Sequence, residues 1–349
     1  MRGIAAVSVL LFHMGNWTLL DLLMPRGYLA VDFFLCLSGL VICTAYDRRA
    51  RLGMSFTSFV RIRMIRLYPL IALGTLLGLI VYMVRDWLLG TDLMPAREWL
   101  SLTMLNILLL PYMHETPLGT SAFPLNVVAW SLFAEVIVNV AWFLVLRHSS
   151  LRVHVALVAA AGAGIVAVMT LGITLDDQVS DVDLFGLGLF RAFFSFFLGT
   201  LLYRFRHTLR AKVPALGAAP MMAGLAILLA VPVTTHIALY ECAFLFLASP
   251  LLIVLGLNAR CSARTLAFCR MGERLSYPLY ALHRPLLLAL LYGLHYANLD
   301  SWKWSYVSGG ALLALGAAHI VERHYDRPVR SFLAALPFGA ARKPARGTV

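Results

Sequence analysis

R-G-I-A-A-V-S-V-L-L-F-H, residues 2–13, is the stretch from which the rest of the chain is read. An arginine opens an apolar run and a histidine closes the stretch eleven residues later. At about 1.5 Å rise per residue of helix, His13 lies roughly 16 Å below Arg2. A hydrocarbon core is about 30 Å thick, so a helix entering at Arg2 carries His13 to mid-membrane. A titratable group is costly there and marks a functional site by default. The structural alternative is an imidazole bonded to a neighbouring helix's carbonyl. The functional reading is a general base, or an acyl-carrying nucleophile, working near neutral pH. Arg2 is its partner at the cytoplasmic face, or else an ordinary snorkelling anchor.

Working outward, composition agrees with a membrane-embedded chain. Of 349 residues, 61% are hydrophobic and 13% charged, against about a quarter charged in soluble domains. The apolar runs are long and continuous, unlike the alternating strands of an outer-membrane barrel. The net charge of +12 reads as a positive-inside bias and not as a nucleic-acid surface, because the arginines cluster in particular loops. Cys36, Cys43, Cys242, Cys261 and Cys269 form no C-x-x-C pair; they read as small apolar fillers, with neither a disulfide framework nor a metal site. The first run lacks the charged n-region of a cleaved leader.

Apolar runs predict spans near 3–20, 27–47, 68–89, 127–146, 153–173, 186–205, 218–235, 238–257, 275–296 and 303–322. An eleventh run, 99–111, is short and ends in Pro111. Loop charge settles its status. Segment 48–67 holds Arg48, Arg49, Arg51, Arg61, Arg63 and Arg66 and is read as cytoplasmic. Further basic segments carry Arg147 and Arg152, Arg204 to Lys212, and Arg260 to Arg274, whereas loop 174–185 carries Asp176, Asp177, Asp181 and Asp183. All basic loops fall on one side only if 99–111 does not cross. The expectation is an all-α polytopic protein of about ten transmembrane helices plus one re-entrant or interfacial segment. Both termini are cytoplasmic in that reading. Residues 1–330 form one membrane domain, and 331–349 form a basic, disordered tail.

Four further groups carry chemistry. In S-F-T-S-F-V-R-I-R-M-I-R-L-Y-P, residues 55–69, Arg63 and Arg66 share a helical face while Arg61 points elsewhere. Guanidinium groups suit phosphates, although lipid head groups explain such arginines too. In W-S-L-F-A-E, Glu135 lies inside a span at the depth of His13, with Trp130 and Ser131 about a turn before it. In L-S-Y-P-L-Y-A-L-H-R-P-L, residues 275–286, Tyr277, Tyr280 and His283 enter from the cytoplasmic side; Pro278 and Pro285 free carbonyls for a cavity. Asp32 and Arg191 sit in the outer halves of their spans, and either pair structurally or line an outward-facing acceptor site.

Taken in order, these motifs resemble those of the acyltransferase 3 family of integral membrane acyltransferases. Arg2, Ala5, Val9 and His13 match its R-x-x-A-x-x-x-V-x-x-x-H opening, and G-Y-L-A-V-D-F-F-L-C-L-S-G, residues 27–39, resembles its second-helix signature. The arginine-rich stretch, W-S-L-F-A-E and S-Y-P-L-Y-A-L-H follow in family order across about residues 2–330. The resemblance implies transfer of an acyl group, usually acetyl, from cytoplasmic acyl-CoA to a hydroxyl of a sugar, glycan or glycosylated metabolite. It makes Arg2 and His13 essential and ties Arg63 and Arg66 to the donor. Two departures stand out: one residue precedes the arginine here, and no SGNH-hydrolase-type domain follows.

The combined expectation is an inner-membrane O-acyltransferase needing no metal and binding no nucleic acid. Its partners are acyl-CoA, membrane lipid and a carbohydrate-type acceptor. His13, Arg2 and Glu135 are assigned to catalysis, Glu135 by orienting the His13 imidazole or relieving it of its proton. Arg63 and Arg66 are assigned to the donor; Asp32, Trp130, Arg191, Tyr280 and His283 to substrate. The rival is a proton-coupled exporter in which His13, Glu135, Asp32 and His283 form a relay.

Overall fold

The opening run is a helix, α1 (Arg2–Thr18), in the computed structural model, which describes residues 1–18, 23–91, 93–176, 180–297 and 303–337. The other apolar runs are helical too. They form α2 (Ala30–Arg51), α3 (Phe56–Leu89), α5 (Ala129–Leu144), α6 (Leu151–Thr170), α7 (Phe185–Arg204) and α9 (Ala218–Ala230). A π-helical link joins α10 (Ile237–Ala243) to α11 (Ser249–Gly256); α12 (Ala263–Tyr296) and α13 (Lys303–Val321) complete the set. Among the described residues, seven helical stretches are long and apolar enough to cross a membrane. α1, α9 and α12 occupy the remaining predicted spans. The chain is an all-α polytopic membrane protein.

The short run at 99–111 becomes α4 (Ala96–Ile107). Its 12 residues reach about 18 Å, too little to cross. It stops at Leu109, whose φ of 57° is left-handed.

Three boundaries differ from expectation. Most of segment 48–67 is helix and not loop, because Gly53, at φ 94°, turns the chain tightly and Ser55 caps α3 by accepting the Ser58 N–H at 3.2 Å. α12 likewise starts well before 275, capped by Ser262, so Arg264, Arg270 and Arg274 ride on a helix. The expected tail begins as structure: a π-helical link continues α13 into α14 (Arg327–Ala335), whose final carbonyls, Leu333 and Leu336, accept from Arg61 at 3.2 and 2.6 Å. Those bonds satisfy carbonyls at a helix end that otherwise lack donors. Residues 338–349 of the tail lie outside the described residues, as does Asp177.

The basic segments are tied to one another at one face of the bundle. Arg147 donates to Ala50 O at 3.2 Å, Arg204 to Ser149 O at 3.0 Å, and Asn258 to Arg210 O at 2.7 Å. Between α8 (Arg206–Lys212) and α9, Gly217 bridges to Arg260. At the other face, loop 120–122 is strapped to loop 180–182 by Ala122 N–H to Ser180 O and Val182 N–H to Thr120 O, both 2.9 Å.

Two helix pairs position the site. α2 and α7 touch backbone to backbone, since a β-carbon at Gly39 would collide with the Phe196 carbonyl. α1 and α12 run parallel, with Gly3 against Gly272 at one end and His13 against His283 further along. Pro285 lacks the N–H that the Ala281 carbonyl would receive in a helix. Asn126 Nδ2 donates to that carbonyl instead, at 2.9 Å. The proline thus docks the 123–128 segment on α12.

Candidate active site

Among the described residues, two cavities that share lining side chains lie within the bundle. The first opens at the arginine-rich face and has an empty volume of about 730 Å³, its mouth included. Arg2 from α1, Arg63 and Arg66 from α3, Ser38 from α2, Glu135 and Ser131 from α5, and Ser276, Tyr277 and Tyr280 from α12 line it. Its walls are otherwise apolar, from Val31, Phe34, Leu35, Val41, Ile42, Leu67 and Leu132. The second is smaller, with an empty volume of about 360 Å³ that likewise counts open space, and is bounded by Val9, His13, Tyr28, Val31, Val127, Val128, Trp130, Asp176, Arg191 and Tyr280. Among the described residues, only Val31 and Tyr280 line both.

The three arginines differ. Arg63 is 6% exposed and donates to Glu135 Oε1 at 2.6 Å. Ser38 donates to the same oxygen at 2.8 Å. Among the described residues, Arg2 and Arg66 make no salt bridge or side-chain hydrogen bond. Two unneutralised guanidinium groups therefore stand at the cleft, with a third held in place by a carboxylate. That arrangement suits an anionic, phosphate-bearing ligand.

Glu135 lies on the arginine side, and among the described residues no hydrogen bond or ion pair joins it to His13. The physical reason is charge: the nearest cation to a carboxylate on this face of α5 is Arg63, and a buried carboxylate takes the partner at hand. Ser38, which helps hold it, escaped the sequence reading. Its signal was a polar side chain inside an otherwise apolar run.

His13 pairs with His283. The ring centroids are 5.0 Å apart and His283 Nε2 stands 3.2 Å from His13 Nδ1. Proton positions follow from the acceptors. His283 Nδ1 faces the carbonyls of Leu279 at 3.1 Å and Tyr280 at 2.8 Å. Carbonyls only accept, so His283 Nδ1 carries hydrogen, and in the neutral ring Nε2 is the acceptor. His13 Nδ1, which also faces Val9 O at 2.9 Å, is then the donor to both. His13 Nε2 remains as the basic nitrogen, on the ring that bounds the second cavity.

The remaining predicted residues divide. Trp130, Arg191 and Tyr280 line the second cavity with His13. Tyr280 is hydrogen-bonded to Ser131 at 2.6 Å; Ser131 spends its own hydrogen on Val128 O at 3.0 Å, so the phenol donates. Asp32 is 1% exposed and lines neither cavity. Both its oxygens are engaged, by a bidentate pair with Arg191 (Nε to Oδ1 3.1 Å, Nη2 to Oδ2) and by Ser195 at 3.1 Å. The Asp32 carboxylate, sealed between α2 and α7, is thus paired with Arg191, one of the two arrangements expected for it, and Arg191 also donates to Leu175 O at 2.7 Å. Asp176, read from sequence only as a marker of the acidic loop, lines the His13 cavity, as does Tyr28, which donates to the buried Glu241 at 2.5 Å.

The acyltransferase-domain family model matches residues 1–321, which contain both cavities and every residue named above in them. The chain belongs to the acyltransferase 3 family. It is also similar to protein 2 in the picA locus of Rhizobium radiobacter, with 31% identity over 148 residues, 40% of this chain and 75% of that protein. No solved structure matches the chain. This acyltransferase 3 protein is therefore a membrane acyltransferase with two cavities meeting at Tyr280.

Proposed function

We propose that this enzyme moves an acyl group, acetyl in the first instance, from cytoplasmic acyl-CoA to a hydroxyl of a sugar, glycan or glycosylated metabolite. The observation that carries the reading is the pairing of unneutralised Arg2 and Arg66 with an apolar cleft that ends where the His13 cavity begins. The nucleotide phosphates rest on Arg2, Arg66 and the outer edge of Arg63. The pantetheine arm follows the apolar wall, and the thioester reaches His13. The basic segments gathered on one face support an inner-membrane orientation with that face, and both termini, in the cytoplasm. The acceptor occupies the second cavity, where Trp130 and Tyr28 offer the aromatic faces that suit a sugar ring, and Asp176 and Arg191 the polar groups.

In the reaction, His13 Nε2 takes the proton of the acceptor hydroxyl as its oxygen attacks the thioester carbonyl. The C–O bond forms, the C–S bond breaks, and the CoA sulfur leaves as a thiolate that recovers the proton from His13. A positive charge on His13 is shared toward His283 through the Nδ1–H. The exporter reading has less support, because Glu135 is held by Arg63 and Asp32 by Arg191, which leaves His13 and His283 as a pair and not a relay.

Binding of acetyl-CoA to detergent-purified protein tests the reading. We expect saturable binding that Arg63→Ala/Arg66→Ala weakens about tenfold or more and His13→Ala largely spares, while His13→Ala abolishes acyl transfer. Absence of binding by well-folded wild type overturns it, and full transfer by His13→Ala overturns the mechanism.

A further inference from the structure

Among the described residues, Arg2, Arg63 and Arg66 line only the first cavity and His13 only the second; Tyr280 and Val31 are common to both. A donor anchored at the arginines therefore meets His13 only by passing these two side chains. Tyr280 is 7% exposed and Val31 8%. The phenol is not loose at that point, since its O–H donates to Ser131, itself anchored on Val128 O, so the ring ties α12 to α5. Pro278 and Pro285 flank it in the same helix.

The acyl group is the leading tip of an acyl-CoA that enters phosphates-last. Whatever passes Tyr280 must then share the narrower second cavity with the acceptor. A two-carbon tip asks little of that space. An eight-carbon tip brings six more methylenes against a fixed aromatic ring, and apolar pockets discriminate about tenfold or more per misfitting methylene.

We propose that Tyr280, with Val31, selects acyl length at the passage between the donor cleft and the His13 cavity, admitting short acyl groups and excluding medium-length ones. This rests on the acyl-CoA reading above and narrows its donor class. Tyr280 acts here through the shape of its ring, and the hydrogen bond to Ser131 holds that ring in the passage.

The test measures affinities of CoA, acetyl-CoA, butyryl-CoA and octanoyl-CoA for the purified full chain by titration calorimetry. For wild type we expect octanoyl-CoA to bind about tenfold or more weaker than acetyl-CoA. Tyr280→Ala should remove that penalty, so that the affinity of octanoyl-CoA relative to CoA rises, because the arginines that hold the CoA phosphates are untouched. Tyr280→Phe, which keeps the ring, should retain most of the penalty. Val31→Ala reports on the same passage independently should Tyr280→Ala fail to fold. A purely structural role for Tyr280 would lower all four affinities together. An octanoyl-to-CoA affinity ratio equal in wild type, Tyr280→Ala and Val31→Ala overturns the proposal. Failure of wild type to bind any of the four overturns the acyl-CoA reading itself.

Discussion

His13 and His283 illustrate how a site is built from single donors and acceptors. Each imidazole faces a backbone carbonyl one turn back along its own helix. Those carbonyls fix which nitrogen carries hydrogen, and the fixed hydrogen of His13 then points at the fixed lone pair of His283. The prediction at this scale separates acceptance from packing. In His283→Gln, the amide oxygen can still accept the His13 Nδ1–H, and turnover should fall only several-fold. In His283→Leu, no acceptor remains on α12, and turnover should fall about a hundredfold, with acetyl-CoA affinity unchanged. Equal losses in the two variants would show that His283 only fills space. The motif order had placed both histidines on spans entering from the same face. That they touch was not legible, because contact depends on how α1 and α12 are rotated about their axes, which Gly3 and Gly272 settle by letting the backbones meet.

At the scale of elements, the prolines of α12 are connectors more than breaks. Pro285 leaves the Ala281 carbonyl without its helical donor, and Asn126 supplies one from outside the helix. A buried carbonyl left without a donor costs about 1–3 kcal/mol. Asn126→Leu should therefore destabilise the protein by roughly that amount, measured as thermal unfolding in detergent. Pro285→Ala restores an N–H to the helix, so adding it to Asn126→Leu should recover much of the loss. Strict additivity of the two changes would refute this account. The sequence identified Pro285 as freeing a carbonyl but offered no means of naming what would take it, since Asn126 is 155 residues away. Glu135 shows the same limit. Its depth was readable from its helix, and the neighbour that claims it, Arg63, was not.

On the scale of the whole molecule, the orientation has a simple test. Cys261 is exposed and lies beside Arg260, which bridges to Gly217 on the arginine-rich face, whereas Cys36 and Cys43 are buried. A membrane-impermeant maleimide should label Cys261 in inside-out vesicles and not in intact cells, with the signal lost in Cys261→Ser. Labelling in intact cells would place the arginine-rich face, and the proposed CoA cleft with it, outside. The face-to-face arrangement of two cavities also explains why the acidic loop is more than a topological marker: Asp176 reaches the His13 cavity from the side opposite the arginines.

The sequence by itself determined the class of molecule, the order of its helices and the grouping of Arg2, Arg63 and Arg66 at one end of the bundle. These follow from local quantities: hydropathy summed along a run, rise per residue, and the distribution of charge between loops. The tertiary structure decided the partners. It paired Glu135 with Arg63, Asp32 with Arg191, His13 with His283 and Tyr280 with Ser131, and so divided one expected site into an arginine-lined cleft and a His13 cavity. The physical reason is that each buried polar group must find its complement within about 3 Å. Which groups come that close depends on helix rotation and glycine-permitted approach between segments distant in the chain, and the spacing of residues along one helix does not contain that information.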